Sequence, residues 1–143
     1  VKAYLETSVL VVYCFGEKLE PDRYKPVKTL FDKINSEKIK GIASFYSLHE
    51  LFIFAIENFS PNIGRIIGKR ALEEILRNKV ELIPLLNREQ RILYSHKMEL
   101  NDASDIPHAI LAFIEKCDCI ITYDKHFDSI NNIIKIMQPE ELL

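Results

Sequence analysis

Glu6, Glu50, Asp105 and Asp124 are far apart along the chain, yet each falls where a predicted strand gives way to a helix or within the early turns of that helix. In a parallel α/β sheet those places share one edge, because ligands bind outside the carboxyl ends of the strands and the returning helices start there. Four carboxylates at that edge offer hard oxygen donors to a divalent ion such as Mg²⁺ or Mn²⁺, which commonly keeps several waters. Such an ion polarises a phosphoryl oxygen and lowers the pKa of a water, so phosphodiester hydrolysis there needs no protein nucleophile. The ion also lets an acidic pocket hold a polyanion. The Cys and His spacing supports no structural zinc site.

Each acid also has an ordinary structural explanation. Glu50 is the lone carboxylate between Phe45 and Ile56 in a helix that otherwise reads as largely buried. A charge there is costly unless paired or metal-bound; alternatively it reaches the surface or pairs with His49 or a distant Lys. Asp105 follows a Ser, and acids in a first helical turn favour the macrodipole. Glu6 and Asp124 follow short apolar strands, where turn-forming acids are common, although Glu is a poorer turn former than Asp. One metal site accounts for all four together, whereas the ordinary readings need four separate accounts.

The elements that must position these acids follow from periodicity and caps. Lys2 to Leu5 reads as a strand ending at Glu6-Thr7-Ser8, followed by a helix through about Tyr13. Gly16 to Pro26 reads as a loop, and Val27, Leu30, Phe31 and Ile34 mark an amphipathic helix. Gly41 to Ser44 is a strand, with Ser44 capping a helix from Phe45 to about Asn58. After Pro61 a second helix runs from Ile63 to Arg77. Val80 to Pro84 is a strand, Asn87 caps a helix through about Glu99, and Ser104 caps a helix from Asp105 to Lys116. Cys119 to Thr122 and Ile133 to Met137 complete the strands. Strands alternating with helices predict an α/β fold with a parallel sheet.

Size and composition are consistent with this. The 143 residues, 48% of them hydrophobic and 28% charged, suit one domain spanning 1–143 with a single core. Apolar runs such as Leu51 to Ile56 are far short of the ~20 residues a membrane helix needs, and no basic leader with an apolar stretch is legible. A cytoplasmic protein without membrane contact is expected. Cys14, Cys117 and Cys119 read as reduced, buried thiols. A net charge of −2 supplies no global basic field, so a nucleic acid would be held by a local patch or through bound cations.

Four segments, taken in order, carry a family resemblance: Tyr4-Leu5-Glu6-Thr7-Ser8-Val9-Leu10, the helical Glu50, Asp105-Ile106-Pro107-His108-Ala109-Ile110-Leu111-Ala112, and Thr122-Tyr123-Asp124-Lys125-His126-Phe127. The chain resembles the PIN domain over essentially its whole length, and in particular the small stand-alone VapC toxins. The resemblance implies a three-layer α/β/α fold with a central, mainly parallel sheet and a Mg²⁺- or Mn²⁺-dependent ribonuclease acting on RNA. It places Glu6, Glu50, Asp105 and Asp124 as the catalytic and metal-binding acids. Thr7 or Ser8, with Thr122, would stand beside the metal as water-positioning hydroxyls. It further implies a homodimer and an antitoxin protein as partner.

Two positions depart from the family pattern. Glu6 stands where Asp is usual, and its extra methylene changes the reach of the carboxylate. After the fourth motif, where many relatives carry a further acid, this chain has His126, with Asp128 two residues on. His126 has three readings: phosphate contact, metal ligand, or loop cap. His49 and His108 read as helix-packing residues, with no nucleophile beside either. The most basic patch, Arg65, Lys69, Arg70, Arg77 and Lys79, alternates with acids as a solvated helix face does, and Lys125 lies nearer the acids. Two other functions remain open: a PIN-like module that binds RNA or protein with weak or no catalysis, and an unrelated α/β phosphohydrolase or receiver-like domain using the same acidic edge.

Overall fold

Successive strand residues face opposite layers of helices, so one sheet serves two apolar cores. In the computed structural model, which describes residues 1–143, the strands are β1 (Lys2–Leu5), β2 (Lys40–Ser44), β3 (Glu81–Ile83), β4 (Cys119–Ile121) and β5 (Lys135–Met137). Their order is β3-β2-β1-β4-β5, and every pairing is parallel. Ala3, Leu5, Ala43, Cys119 and Ile121 enter a core shared with α1 (Thr7–Leu19), α2 (Pro21–Asn35), α3 (Phe45–Asn58) and α4 (Pro61–Leu76). Tyr4, Ile42, Ile83 and Ile120 enter the other, against Tyr94 of α5 (Arg88–Tyr94) and the length of α6 (Ile106–Ile114). The three layers expected are present, and the sheet is wholly parallel.

The strand order reverses between β1 and β4. Connections leave these neighbours toward opposite sides of the sheet, which opens a crevice at their carboxyl ends. Glu6 follows β1 directly, and Asp124 lies three residues beyond β4.

Several expected boundaries shift for local reasons. The segment from Gly16 to Pro26 is helical, not a loop: α1 runs on to Leu19, and Glu20 alone separates it from α2. The Glu20 N–H closes α1 on the Gly16 carbonyl at 2.8 Å. Pro21 starts α2 at a position whose N–H has no helical partner to lose. The Asn87 cap holds, with Gln90 completing a reciprocal capping box, but α5 ends at Tyr94 and passes into a 3₁₀ turn, Ser95–Lys97, short of Glu99. Ser104 does not cap α6. Its hydroxyl and N–H instead donate to the Asp102 carboxylate, leaving Asp105 in the cap position with no side-chain capping bond. No helix is long and apolar enough to cross a membrane.

Helix α3, which carries Glu50, is braced by α4 at unusually short range. A Cβ on Gly64 would stand 2.9 Å from the Ala55 carbonyl oxygen and 3.1 Å from the Ile56 Cα, both backbone atoms that move only if the helices separate. Alanine favours a helix interior over glycine by about 1 kcal/mol, yet Gly64→Ala is expected to destabilise by roughly 1–3 kcal/mol. The urea midpoint of the variant measures this, and a rise would show that the helix pair has slack.

Candidate active site

A cleft of about 630 Å³ opens at the carboxyl ends of β1 and β4. Its walls include Glu6, Thr7 and Ser8 from the start of α1, Glu50 from α3, Asp105 from the head of α6, and Asp124. All four sequence-selected acids therefore meet on one surface.

Glu6 is buried and serves as the N-cap of α1, an uncommon role for Glu. Its Oε2 accepts from the Ser8 N–H at 2.9 Å, the Ser8 hydroxyl at 2.6 Å and the Thr122 hydroxyl at 2.8 Å. Thr122 in turn accepts from the Asp124 N–H at 2.9 Å, and Ser8 accepts from the Tyr123 N–H at 3.0 Å. The ends of β1 and β4 are thus laced together through hydroxyls. The extra methylene of Glu6 is taken up by folding the carboxylate back onto its own helix start, and Oε1 takes none of these bonds.

Glu50 pairs neither with His49 nor with a Lys. Its Oε2 accepts from the Thr7 hydroxyl at 3.1 Å, and its Oε1 lies 2.5 Å from Nε2 of His108. His108 is fully buried, and its Nδ1 lies 2.6 Å from the Tyr4 hydroxyl, which is 2.7 Å from the Ser44 hydroxyl. The reading of His108 as a packing residue is therefore incomplete: it packs, and it also binds a site acid.

Asp105 and Asp124 come closest to each other. They and His126 can present one ligand atom each within a mutual 4.8 Å. Asp124 Oδ1 accepts from the His126 N–H at 2.9 Å and faces the His126 ring at 3.2 Å, so His126 both closes the loop and stands beside the acids. Asp128 is not brought to the cleft; it lines a neighbouring depression with Lys125 and Asn131. Asp105 is 7% exposed, and its Oδ2 is buried with no hydrogen-bond partner. Burial, followed by the charges of Asp124, Asp102 and Glu6, pushes its pKa up to about 6.

An unpartnered buried oxygen on a carboxylate beside further carboxylates fits a hard divalent cation, because each remaining lone pair is a donor and no thiolate lines the cleft. Asp105, Asp124 and His126 can present ligand atoms close together, and Glu6 and Glu50 stand in the same cleft.

Some lining residues escaped the sequence reading. Asp102 enters through the turn that Ser104 folds back, and those two Ser104 bonds hold its carboxyl below the usual range. Glu20, Arg23 and Glu57 also line the cleft. Arg23 is the only Lys or Arg among the lining residues, with its guanidinium 4.5 Å from the centre of the Tyr123 ring. A basic residue in a segment read as a loop carried no signal of this placement.

No protein-family model matches the sequence, and no curated protein matches it. Solved structures do. VapBC-1 from nontypeable Haemophilus influenzae superposes with a TM-score of 0.66 at 15% identity, covering 98% of this chain and 99% of that one. VapBC2 from Rickettsia felis, bound to a DNA fragment from its promoter, gives 0.63 at 17%, covering 96% and 98%. VapC20 from Mycobacterium tuberculosis, a toxin that cleaves the sarcin-ricin loop, gives 0.63 at 12%, covering 89% and 93%. The chain has a VapC-like, PIN-type fold. At these identities the likeness is one of fold, and the chemistry rests on the residues of the cleft.

In this cleft the raised pKa of Asp105 makes stability depend on pH. An unfolded chain releases that proton near 3.8 and the folded one near 6, so between those values the folded state holds more protons. Metal-free stability should fall as pH rises through that window, by at most about 3 kcal/mol, and stay reduced above it. Asp105→Asn should flatten the decline. Urea denaturation of both proteins between pH 4.5 and 7.5 measures the difference, and parallel profiles would contradict a buried, repelled carboxylate.

Proposed function

We propose that this chain is a metal-dependent endoribonuclease, a VapC-like toxin that hydrolyses phosphodiester bonds of cytoplasmic RNA. The observation that carries the reading is the buried, unpartnered Oδ2 of Asp105, on a carboxylate grouped with Asp124 at the topological switch point. Glu6, Glu50, Asp105 and Asp124 hold Mg²⁺ or Mn²⁺. The bound cation supplies a Lewis acid for the phosphoryl oxygen and a more acidic water for attack. The likeness to VapBC assemblies supports an antitoxin protein as partner, and the working form is a homodimer.

The side chains around the acids have separable tasks. Ser8 and Thr122 fix one oxygen of Glu6, leaving the other for the cleft. Thr7 holds Glu50 from one side. Burial of Asp105 removes competing water from its free oxygen. Arg23, stacked on Tyr123 and paired with Glu20 at 3.2 Å, is the guanidinium at the cleft that a phosphate beyond the acids would meet. The basic face of α4 lies outside the lining of this cleft.

One observation favours the alternative of a weakly catalytic binding module: three donors occupy a single oxygen of Glu6, so this residue has less to offer a cation. Glu6→Asp separates the two readings. Activity that appears only in that variant supports the binding module, and activity already present in the native chain removes it.

Single-stranded RNA should be cleaved with Mn²⁺ or Mg²⁺ and spared with EDTA, and Asp105→Asn or Asp124→Asn should reduce the rate roughly 100-fold or more. Cleavage surviving both EDTA and Asp105→Asn defeats the proposal. Because the cation binds only the folded state and relieves repulsion among the acids, saturating Mn²⁺ should also raise the melting temperature of the native protein. That rise should shrink in Asp105→Asn.

A further inference from the structure

Behind the cleft, on the far side of Glu50, three buried polar side chains form a line. Ser44, Tyr4 and His108 are each 0% exposed, and the line ends on the Glu50 carboxylate. None of the three lines the cleft. Most buried polar groups are hydrogen-bonded, and the direction of each bond here follows from its ends. An ionised carboxylate only accepts, so Nε2 of His108 carries a proton toward Glu50. In the neutral ring Nδ1 then accepts, and the Tyr4 hydroxyl is positioned at 2.6 Å to donate to it. Burial holds the Tyr4 phenol protonated by pushing its pKa up. Ser44 can donate to the Tyr4 oxygen while accepting the Ser47 N–H at 3.3 Å, the bond that caps α3.

We propose that His108, held in one tautomer by Tyr4, is a positioning residue that aims the Glu50 carboxylate at the cation. The inference rests on reading Glu50 as a metal ligand. A neutral N–H suits this task better than a Lys or Arg, because it orients the carboxylate without cancelling the charge the cation needs. Metal-binding carboxylates characteristically depend on such outer hydrogen bonds. The line also joins three of the acid-bearing segments: Tyr4 lies two residues before Glu6, Ser44 caps the helix of Glu50, and His108 lies three residues after Asp105. The sheet's pleat makes this possible by sending Tyr4 into the core opposite that of its neighbours Ala3 and Leu5.

Two measurements on the full chain test this. Imidazole ¹⁵N spectra of the metal-free protein at neutral pH should show His108 as the neutral Nε2–H tautomer; an Nδ1–H tautomer or a doubly protonated ring overturns the proposal. Calorimetric titration with Mn²⁺ should show affinity lost roughly tenfold in His108→Leu and in Tyr4→Phe, and largely restored in His108→Gln, whose amide returns an N–H near Nε2. Tyr4→Phe keeps the shape of the core, so it serves where His108→Leu fails to fold. Equal affinities in native protein and Tyr4→Phe, or equal losses in the Leu and Gln variants, make the line a packing feature and overturn the proposal. A native protein that binds no Mn²⁺ overturns the metal reading of the cleft and the aiming role with it. The tautomer, read without metal, distinguishes that outcome from an error in the hydrogen-bond line.

Discussion

Negative charge gathered in a partly buried cleft repels itself, and the protein answers that repulsion almost entirely with hydroxyls, backbone N–H groups and imidazoles. Ser8, Thr122 and a backbone N–H hold Glu6; Thr7 and His108 hold Glu50; a backbone N–H and the His126 ring meet Asp124. Asp105 is left with an oxygen that nothing satisfies. Lys or Arg at these positions would relieve the repulsion better and would also extinguish the site. Hydroxyls and a buried imidazole hold the carboxylates in place while leaving the net charge available to a cation.

The sheet makes this arrangement geometrically cheap. Because β1 and β4 are adjacent and parallel, Leu5 pairs with Ile121, and the residues just beyond them, Glu6 and Thr122, meet without any long loop. Helices α3 and α6 both start at the same edge, so Glu50 and Asp105 arrive on rigid elements. The tight seat of Gly64 against α3 then fixes the helix that carries Glu50 from its outer side.

Much of this was legible in the sequence because its signals are local. A short apolar run followed by a hydroxyl cap marks β2 and the start of α3, β1 shows as an apolar run ending at Glu6, and strand-helix alternation places the acids on one edge. Ser44 shows the principle, since cap and helix are contiguous and α3 spans the residues expected. Signals that depend on distant partners were not legible. Gly16 reads as a turn until Val12 and Tyr24 are seen close about it, and Ser104 reads as a helix cap until Asp102 takes its hydroxyl. His108 is the clearest case. A lone His in an apolar helix reads as packing, and its partners Glu50 and Tyr4 lie 58 and 104 residues away.

The lacing of Glu6 to Thr122 joins residues 116 apart, and β4 itself is completed by pairing with β5 at Lys135–Met137. Contacts of such sequence separation close late, after the loop entropy between them has been overcome. During synthesis the first acid would leave the ribosome long before the strand that orients it, and a partly made chain would hold its carboxylates without the geometry to use them. Completion of the cleft therefore waits for β4 and for Thr122 just beyond it, which orients Glu6.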